Sequence, residues 1–202
     1  MPSPGLRERK KLETHRTIAL AALRLIDEHG LEQVTVDDIA AEAGLSTRTF
    51  FNYFPSKEDA VLIAHADQAE RTERTIARFG AQPAGLGTFA AMVQTMREEV
   101  AEVEENRDEW LARIRIIRAE PSLRLRATMI DSQAHEPMLK AIAERSGTRA
   151  DQDLFPALAV GVLGSVIGAA LNRWCALDGA KPLLEFFEEA AAIAAAGVPD
   201  PH

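Results

Sequence analysis

Thr35–Lys57, TVDDIAAEAGLSTRTFFNYFPSK, reads as two short helices joined by a tight turn. Thr35 followed three residues later by Asp38 is a near match to a capping box, which predicts a helix over Val36–Ala43. Gly44 can take the left-handed conformation that ends this helix and turns the chain. Ser46 is then a good N-cap for a second helix running to about Tyr53. Pro55 ends it, and Ser56 with Asp59 caps a third helix predicted to run to about Phe79.

The residue types along this stretch sort into two faces. Ile39, Ala40 and Ala43 form the small apolar face of the first helix, Leu45 fills the turn, and Phe50 and Phe54 (i, i+4) anchor the second helix to a core. Thr47, Arg48, Thr49 and Asn52 fall on other faces, near the N-terminal end that Ser46 opens. In a helix-turn-helix that end enters the major groove, where an arginine can reach a guanine edge with two hydrogen bonds. Threonine can bond a phosphate oxygen or touch a thymine methyl. Tyr53 and Lys57 lie at the far end, where a phenol and an ammonium suit phosphates.

Outward from this hairpin the chain reads as helical throughout. Alanine is abundant, β-branched runs are scarce, and 47% apolar content is ordinary for a globular protein. A helix is predicted over Leu6–His29, with Ile18, Ala22, Leu25 and Ile26 at helical spacing and Gly30 as its stop. After a loop marked by Gly80, Pro83, Gly85 and Gly87, helices are predicted over Thr88–Glu105, Arg107–Ala119, Ser122–Arg145, Asp151–Leu177 and Pro182–Ala196.

The net charge of −8 argues against a uniformly cationic surface, but local charge decides nucleic-acid binding. Leu6–Arg16 is mostly basic, with Arg7, Arg9, Lys10 and Lys11, and no acidic residue lies between Gly44 and Lys57. The single Cys175 excludes an intramolecular disulfide and, with an N-terminus lacking an apolar signal core, points to the cytoplasm. The charge-free run Leu154–Leu171 has the length of a short membrane span. Its Pro156, glycines and alanines, and its lack of an aromatic belt, favour a packed helix approached closely at Gly161, Gly164 and Gly168, so no membrane partner is expected.

The stretch HGLEQVTVDDIAAEAGLS followed by TRTFFNYFPSKEDAV resembles the TetR family of transcriptional regulators. The matching positions are Gly44, Ser46, Thr49, Phe50, Phe51, Tyr53, Phe54, Lys57 and Glu58, and the likeness in motif covers about the first third of the chain. It implies an all-α fold, with a three-helix DNA-binding domain at residues 1–57 and a helical effector-binding and dimerisation domain at residues 58–202. By this resemblance Thr47 and Arg48 occupy base-reading positions, and Thr35, Thr49, Tyr53 and Lys57 occupy phosphate-holding ones. Phe51 stands where the family often has Tyr, which removes one phenol–phosphate contact and shifts weight to the basic arm and to salt-dependent binding.

The resemblance further implies a homodimer on a palindromic double-stranded operator. The last two helices would form a four-helix bundle with a partner, and the small-residue, apolar character of Asp151–Leu177 followed by LLEFFEEAAAIAAA independently suits helix packing. Middle helices would enclose a small hydrophobic effector that releases a repressor from DNA. Its candidate contacts are Met92, Met96, Trp110, Arg113, Ile114, Ile117, Met129 and Phe155.

The segment RIRIIRAEPSLRLRATM, residues 113–129, is similar to the corresponding region of actinobacterial regulators that sense fatty acyl-CoA. Its arginines are expected mainly to pair with Glu102, Glu105, Glu109 and Glu120, the sharper alternative being a clamp for an anionic ligand.

Other classes fare worse. A constitutive or activating DNA binder shares the same head. A helical carrier or enzyme with a degenerate hairpin lacks signals of its own. The histidines are dispersed, and Asp131 with His135 (i, i+4) has no second pair to complete a metal site. No nucleophile elbow, Walker loop or dinucleotide fingerprint is present, so no enzyme activity, metal or cofactor is expected.

Overall fold

The computed structural model describes residues 5–198, including all of their side chains except those of 129–135. Ten helices are present among the described residues: α1 (Leu6–His29), α2 (Val36–Glu42), α3 (Thr47–Phe51), α4 (Lys57–Leu62), α5 (Gln68–Gly80), α6 (Thr88–Glu105), α7 (Arg107–Ala119), α8 (Pro121–Ser146), α9 (Leu154–Ala176) and α10 (Leu183–Ala195). The all-α class expected from composition is what the chain adopts. It forms two compact units, one comprising the chain up to Glu70 with Leu111–Thr128, the other Arg71–Trp110 with the chain from Met129 onward.

The first unit is built on α1, which packs against α2 and α4, while α2 packs against α3. Ile18, Ala22 and Ile26 recur along α1 and are buried against Ile39, Ala40, Phe50, Phe54 and Val61. Ile116 of α7 and Leu123 of α8 join this core, with Ala112 and Ile117 packed on its edge. The compact head therefore takes in α4 and pieces of α7 and α8, beyond the boundary at Lys57 that the motif suggests. Segments distant in sequence supply its last apolar layer, and no local pattern announces that.

The predicted helix from Ser56 to Phe79 is corrected into two. α4 stops at Leu62, Ile63 leaves the helical region with φ −93° and ψ 87°, and α5 begins at Gln68. The physical reason lies in Arg113, whose Nε donates to the Val61 carbonyl at 2.8 Å. A continuing helix would offer that carbonyl to the His65 N–H. No glycine or proline marks the break.

In the second unit, α9 and α10 pack as a helical hairpin and α6 packs on both. Its interior holds Phe79, Met92, Ile142, Leu163, Val166, Trp174, Leu183 and Phe187. Arg71 ties α5 to α6 through a two-pronged contact with Glu102, at 2.9 and 2.6 Å, and a further bond to Glu99. Gly179 (φ +64°) follows α9, and a Cβ there would run into the Arg107 guanidinium, which donates to the Asp178 carbonyl at 2.7 Å.

α9 is the one helix among the described residues long and apolar enough to cross a membrane, with a mean hydropathy of 2.2 in its most apolar window. Only 28% of that window is buried. Leu154, Leu158, Gly161, Gly164 and Ser165 are exposed, and no described atom comes within 4 Å of a Cβ built on Gly161, Gly164 or Gly168. The close approach expected at these glycines is not made within one chain.

Candidate DNA-binding head

The turn geometry of the hairpin follows from its residues. Thr35 and Asp38 form a full capping box: Asp38 Oδ2 accepts from the Thr35 N–H at 2.9 Å, and Thr35 Oγ1 accepts from the Asp38 N–H at 3.2 Å. The hydroxyl and N–H of Thr35 together hold the Asp38 carboxyl below its usual range. Gly44 adopts φ +67°, and Leu45 N–H then reaches back to the Ala40 carbonyl at 2.8 Å, closing the turn. Ser46 caps α3 by accepting from the Thr49 N–H at 3.1 Å.

α3 is held by its aromatic residues. Phe50 and Phe54 are fully buried, with ring centroids 5.9 Å apart, and His15 of α1 lies 4.3 Å from Phe54. Phe51 packs edge-on against Phe50 and remains 53% exposed. A five-residue helix has little stability of its own, so this anchoring is what holds α3 in place.

The expected site residues divide by what already occupies them. Arg48 and Asn52 are exposed and make no side-chain hydrogen bond or ion pair among the described residues. Thr47 is half-buried, and its hydroxyl donates to Asp37 Oδ1 at 2.5 Å. The Ser46 and Thr49 hydroxyls share a bond of 2.9 Å. Thr35 is used by its capping box.

Lys57 is not a free ammonium. Its Nζ donates to the carbonyls of Leu31 and Val34, at 2.6 and 2.8 Å, and so fastens the start of α4 to the α1–α2 loop. Tyr53 is half-buried and, with Thr49 and Asn52, borders a groove whose other wall carries Arg7, Lys10, Lys11 and Thr14 of α1. Glu8 also lines this groove and pairs with Lys11 at 3.6 Å, so the arm brings three cations and one acid beside Thr49, Asn52 and Tyr53.

The expected effector residues are divided between the two units. Met92 is buried and Met96 half-buried on α6, and Trp110 is half-buried, all in the second unit. Phe155, 41% exposed, lines an open groove of that unit with Phe89, Val93 and Arg97. Arg113, Ile114 and Ile117 belong to the head, where Ile117 packs against the core. Met129, and the Asp131 and His135 weighed as metal ligands, lie outside the described side chains.

The arginine-rich segment finds partners on α1 and α4 that the sequence reading did not assign. Arg113 takes the Val61 carbonyl, Arg115 pairs with Asp27 at 3.0 Å, and Arg126 makes a fork on Asp59, with Nε–Oδ1 2.8 Å and Nη2–Oδ2 2.7 Å. The reason is tertiary: α7 and α8 bring these side chains against α1 and α4. Two of the bonds at the head have no counterpart in the sequence reading: Asp37 takes the Thr47 hydroxyl, and Arg126 takes Asp59. Asp59 was legible as the partner of the Ser56 cap, whereas Asp37 showed only its place in the first turn of α2, where an acid suits the helix dipole.

A capped two-helix hairpin with an outward arginine is the form taken by helix-turn-helix DNA-binding heads. Residues 18–62 match the family of bacterial regulatory proteins of the tetR type, and residues 86–199 match the MftR C-terminal domain family. The chain belongs to the TetR family of DNA-binding transcriptional regulators.

It is 29% identical over 179 residues to the regulator TcmR of Streptomyces glaucescens, covering 85% of this chain and 77% of that one. It is 42% identical over 64 residues to EthR of Mycobacterium tuberculosis, covering 30% of this chain and 29% of that one. Among solved structures it is similar to Thermus thermophilus FadR, a TetR-family repressor in complex with lauroyl-CoA. That match has a TM-score of 0.56 and 22% identity, over 93% of this chain and 96% of that one.

Proposed function

We propose that this protein is a cytoplasmic repressor that binds a palindromic double-stranded operator as a homodimer and is released by a small hydrophobic effector. Residues 1–57 contact DNA and residues 58–202 sense the effector and dimerise. The observation that carries this reading is the unpaired, exposed Arg48 at the tip of α3, beside the groove lined by Arg7, Lys10 and Lys11. A guanidinium with no internal partner can meet a guanine edge bidentately without giving up a bond.

Within the site, Arg48 and Thr47 read bases. Ser46, Thr49, Asn52 and Tyr53, with the basic arm, hold the backbone. Thr35 and Lys57 set the pose of α2 and α4, and Lys57 retains one N–H for a phosphate. The exposed stripe Leu154–Leu158–Gly161–Ser165 on α9 supports a second copy packing there, burying apolar surface that one chain leaves in water. Met92, Met96, Trp110 and Phe155 are the effector-facing candidates of the second unit. Arg113, Ile114 and Ile117 are the candidates that lie in the first unit. The lauroyl-CoA bound by the similar FadR supports an acyl-chain effector.

An effector acts only through its different affinity for the two dimer spacings, a coupling of about 1–3 kcal/mol in typical cases. The test is fluorescence anisotropy with DNA flanking the protein's own gene, at low and high salt, with and without lauroyl-CoA, lauric acid and unrelated hydrophobic drugs. Salt-sensitive, sequence-selective binding that one of these weakens is the expected outcome; loss of all sequence selectivity would sink it. Arg48→Ala should weaken operator binding by about 1–3 kcal/mol while leaving random DNA unaffected. Equal effects on both would remove Arg48 from base reading.

A further inference from the structure

Thr47 opens α3, yet its hydroxyl proton is not available to DNA. It donates to Asp37 Oδ1, in the first turn of α2, at 2.5 Å. A hydroxyl carries one proton, and a carboxylate only accepts. While this bond holds, Thr47 cannot donate to a base or a phosphate. Fixing Oγ1 on Asp37 also fixes the side-chain torsion, and with it the direction of the Cγ2 methyl. The neighbouring hydroxyls of Ser46 and Thr49 share one bond, which uses one of their two protons, so one of these hydroxyls, Arg48 and Asn52 remain as donors at the hairpin tip.

We infer that Asp37 is a specificity-determining positioning residue: by holding the only proton of Thr47 it makes that side chain read DNA through its methyl group, selecting the 5-methyl of thymine in the major groove. The inference rests on the reading of α3 as the groove-entering helix. In the major groove, thymine differs from cytosine in presenting a methyl group and an acceptor where cytosine presents an amino donor. A threonine free to donate would accept either an acceptor-bearing base or a phosphate; a threonine confined to its methyl prefers thymine. A negative charge in the first turn of α2 also suits that helix's dipole. That purely structural role would leave base preference unchanged.

The experiment uses the full-length protein and duplexes it selects from a random pool. Each thymine of the selected half-site is replaced singly by uracil, which removes the methyl and nothing else. For the wild type, one such replacement should weaken binding about fourfold, the worth of one buried methyl group. Thr47→Val, isosteric and without the proton, should bind the selected duplex within about twofold of wild type and keep the uracil penalty. Thr47→Ser should lose that penalty, and Asp37→Ala should relax the thymine preference at the same position while the guanine preference set by Arg48 persists.

A loss of tenfold or more in Thr47→Val would overturn the inference, as would a wild type indifferent to uracil at every thymine or a selected half-site without thymine. If the pool yields no preferred sequence, or Arg48→Ala leaves preference intact, the groove-entering reading itself fails, and that result is distinct from the others.

Discussion

His15 is a histidine placed where charge is unwelcome. It is 5% exposed, packed on Phe54, and burial first, then the cations His65 and Arg113, push its pKa from 6.5 down to about 4. The folded head keeps the imidazole neutral, whereas the unfolded chain takes up a proton as pH falls below 6.5. Stability from this residue is therefore complete above pH 6.5 and is lost progressively as pH falls towards 4. Between about pH 7 and about pH 5 the loss should come to roughly 2 kcal/mol. Urea unfolding of wild type and His15→Leu at these two pH values checks it: the variant should lack this part of the pH dependence. Parallel slopes for the two proteins would show that the histidine titrates normally. The helical spacing of α1 made its core face legible, but nothing in the sequence separates a buried His15 from an exposed His29.

At the scale of elements, α4 shows best what spacing cannot tell. Its cap was readable: Ser56 accepts from the Asp59 N–H at 3.2 Å, as the S-x-x-D pattern implies. Its length was not, because the Arg113 that takes the Val61 carbonyl comes from α7. Asp59 is likewise bonded by Arg126 from α8, a residue 67 positions away. Arg126 is half in water, so the pair is worth less than a fully buried one, but without it Asp59 keeps only the Ser56 hydroxyl at 2.9 Å. Arg126→Met should therefore destabilise the head by about 1–3 kcal/mol. Thermal unfolding of Arg126→Met, Asp59→Asn and the double variant measures it. The double variant should be less damaged than the sum of the singles, since it removes the stranded carboxylate as well as the bond. Simple additivity would mean the two side chains do not stabilise each other.

For the whole molecule the question is what covers α9. Leu154 is 85% exposed and Leu158 65%, on a helix free of charge from its start to Leu171. The proposed second copy, seated there, would cover both the apolar stripe and the uncrowded glycines. Leu158→Asp should yield a monomer by light scattering and weaken operator binding by about a hundredfold or more, because the two heads no longer engage one duplex together. A dimer that persists with full operator affinity would place the interface elsewhere.

The chain's own order of residues determined most of the helices, the caps of the hairpin and its outward arginine. Capping, turn formation and amphipathic spacing act over a few residues and leave their mark at fixed offsets. Tertiary structure alone decided that Lys57 fastens a loop, that Arg113 and Arg126 reach α4, and that Asp37 holds the Thr47 proton. Those bonds join side chains 10 to 67 positions apart or tie a side chain to a distant carbonyl. Only packing brings such groups within 3 Å of each other, because hydrogen bonding depends on distance in space and is blind to distance along the chain.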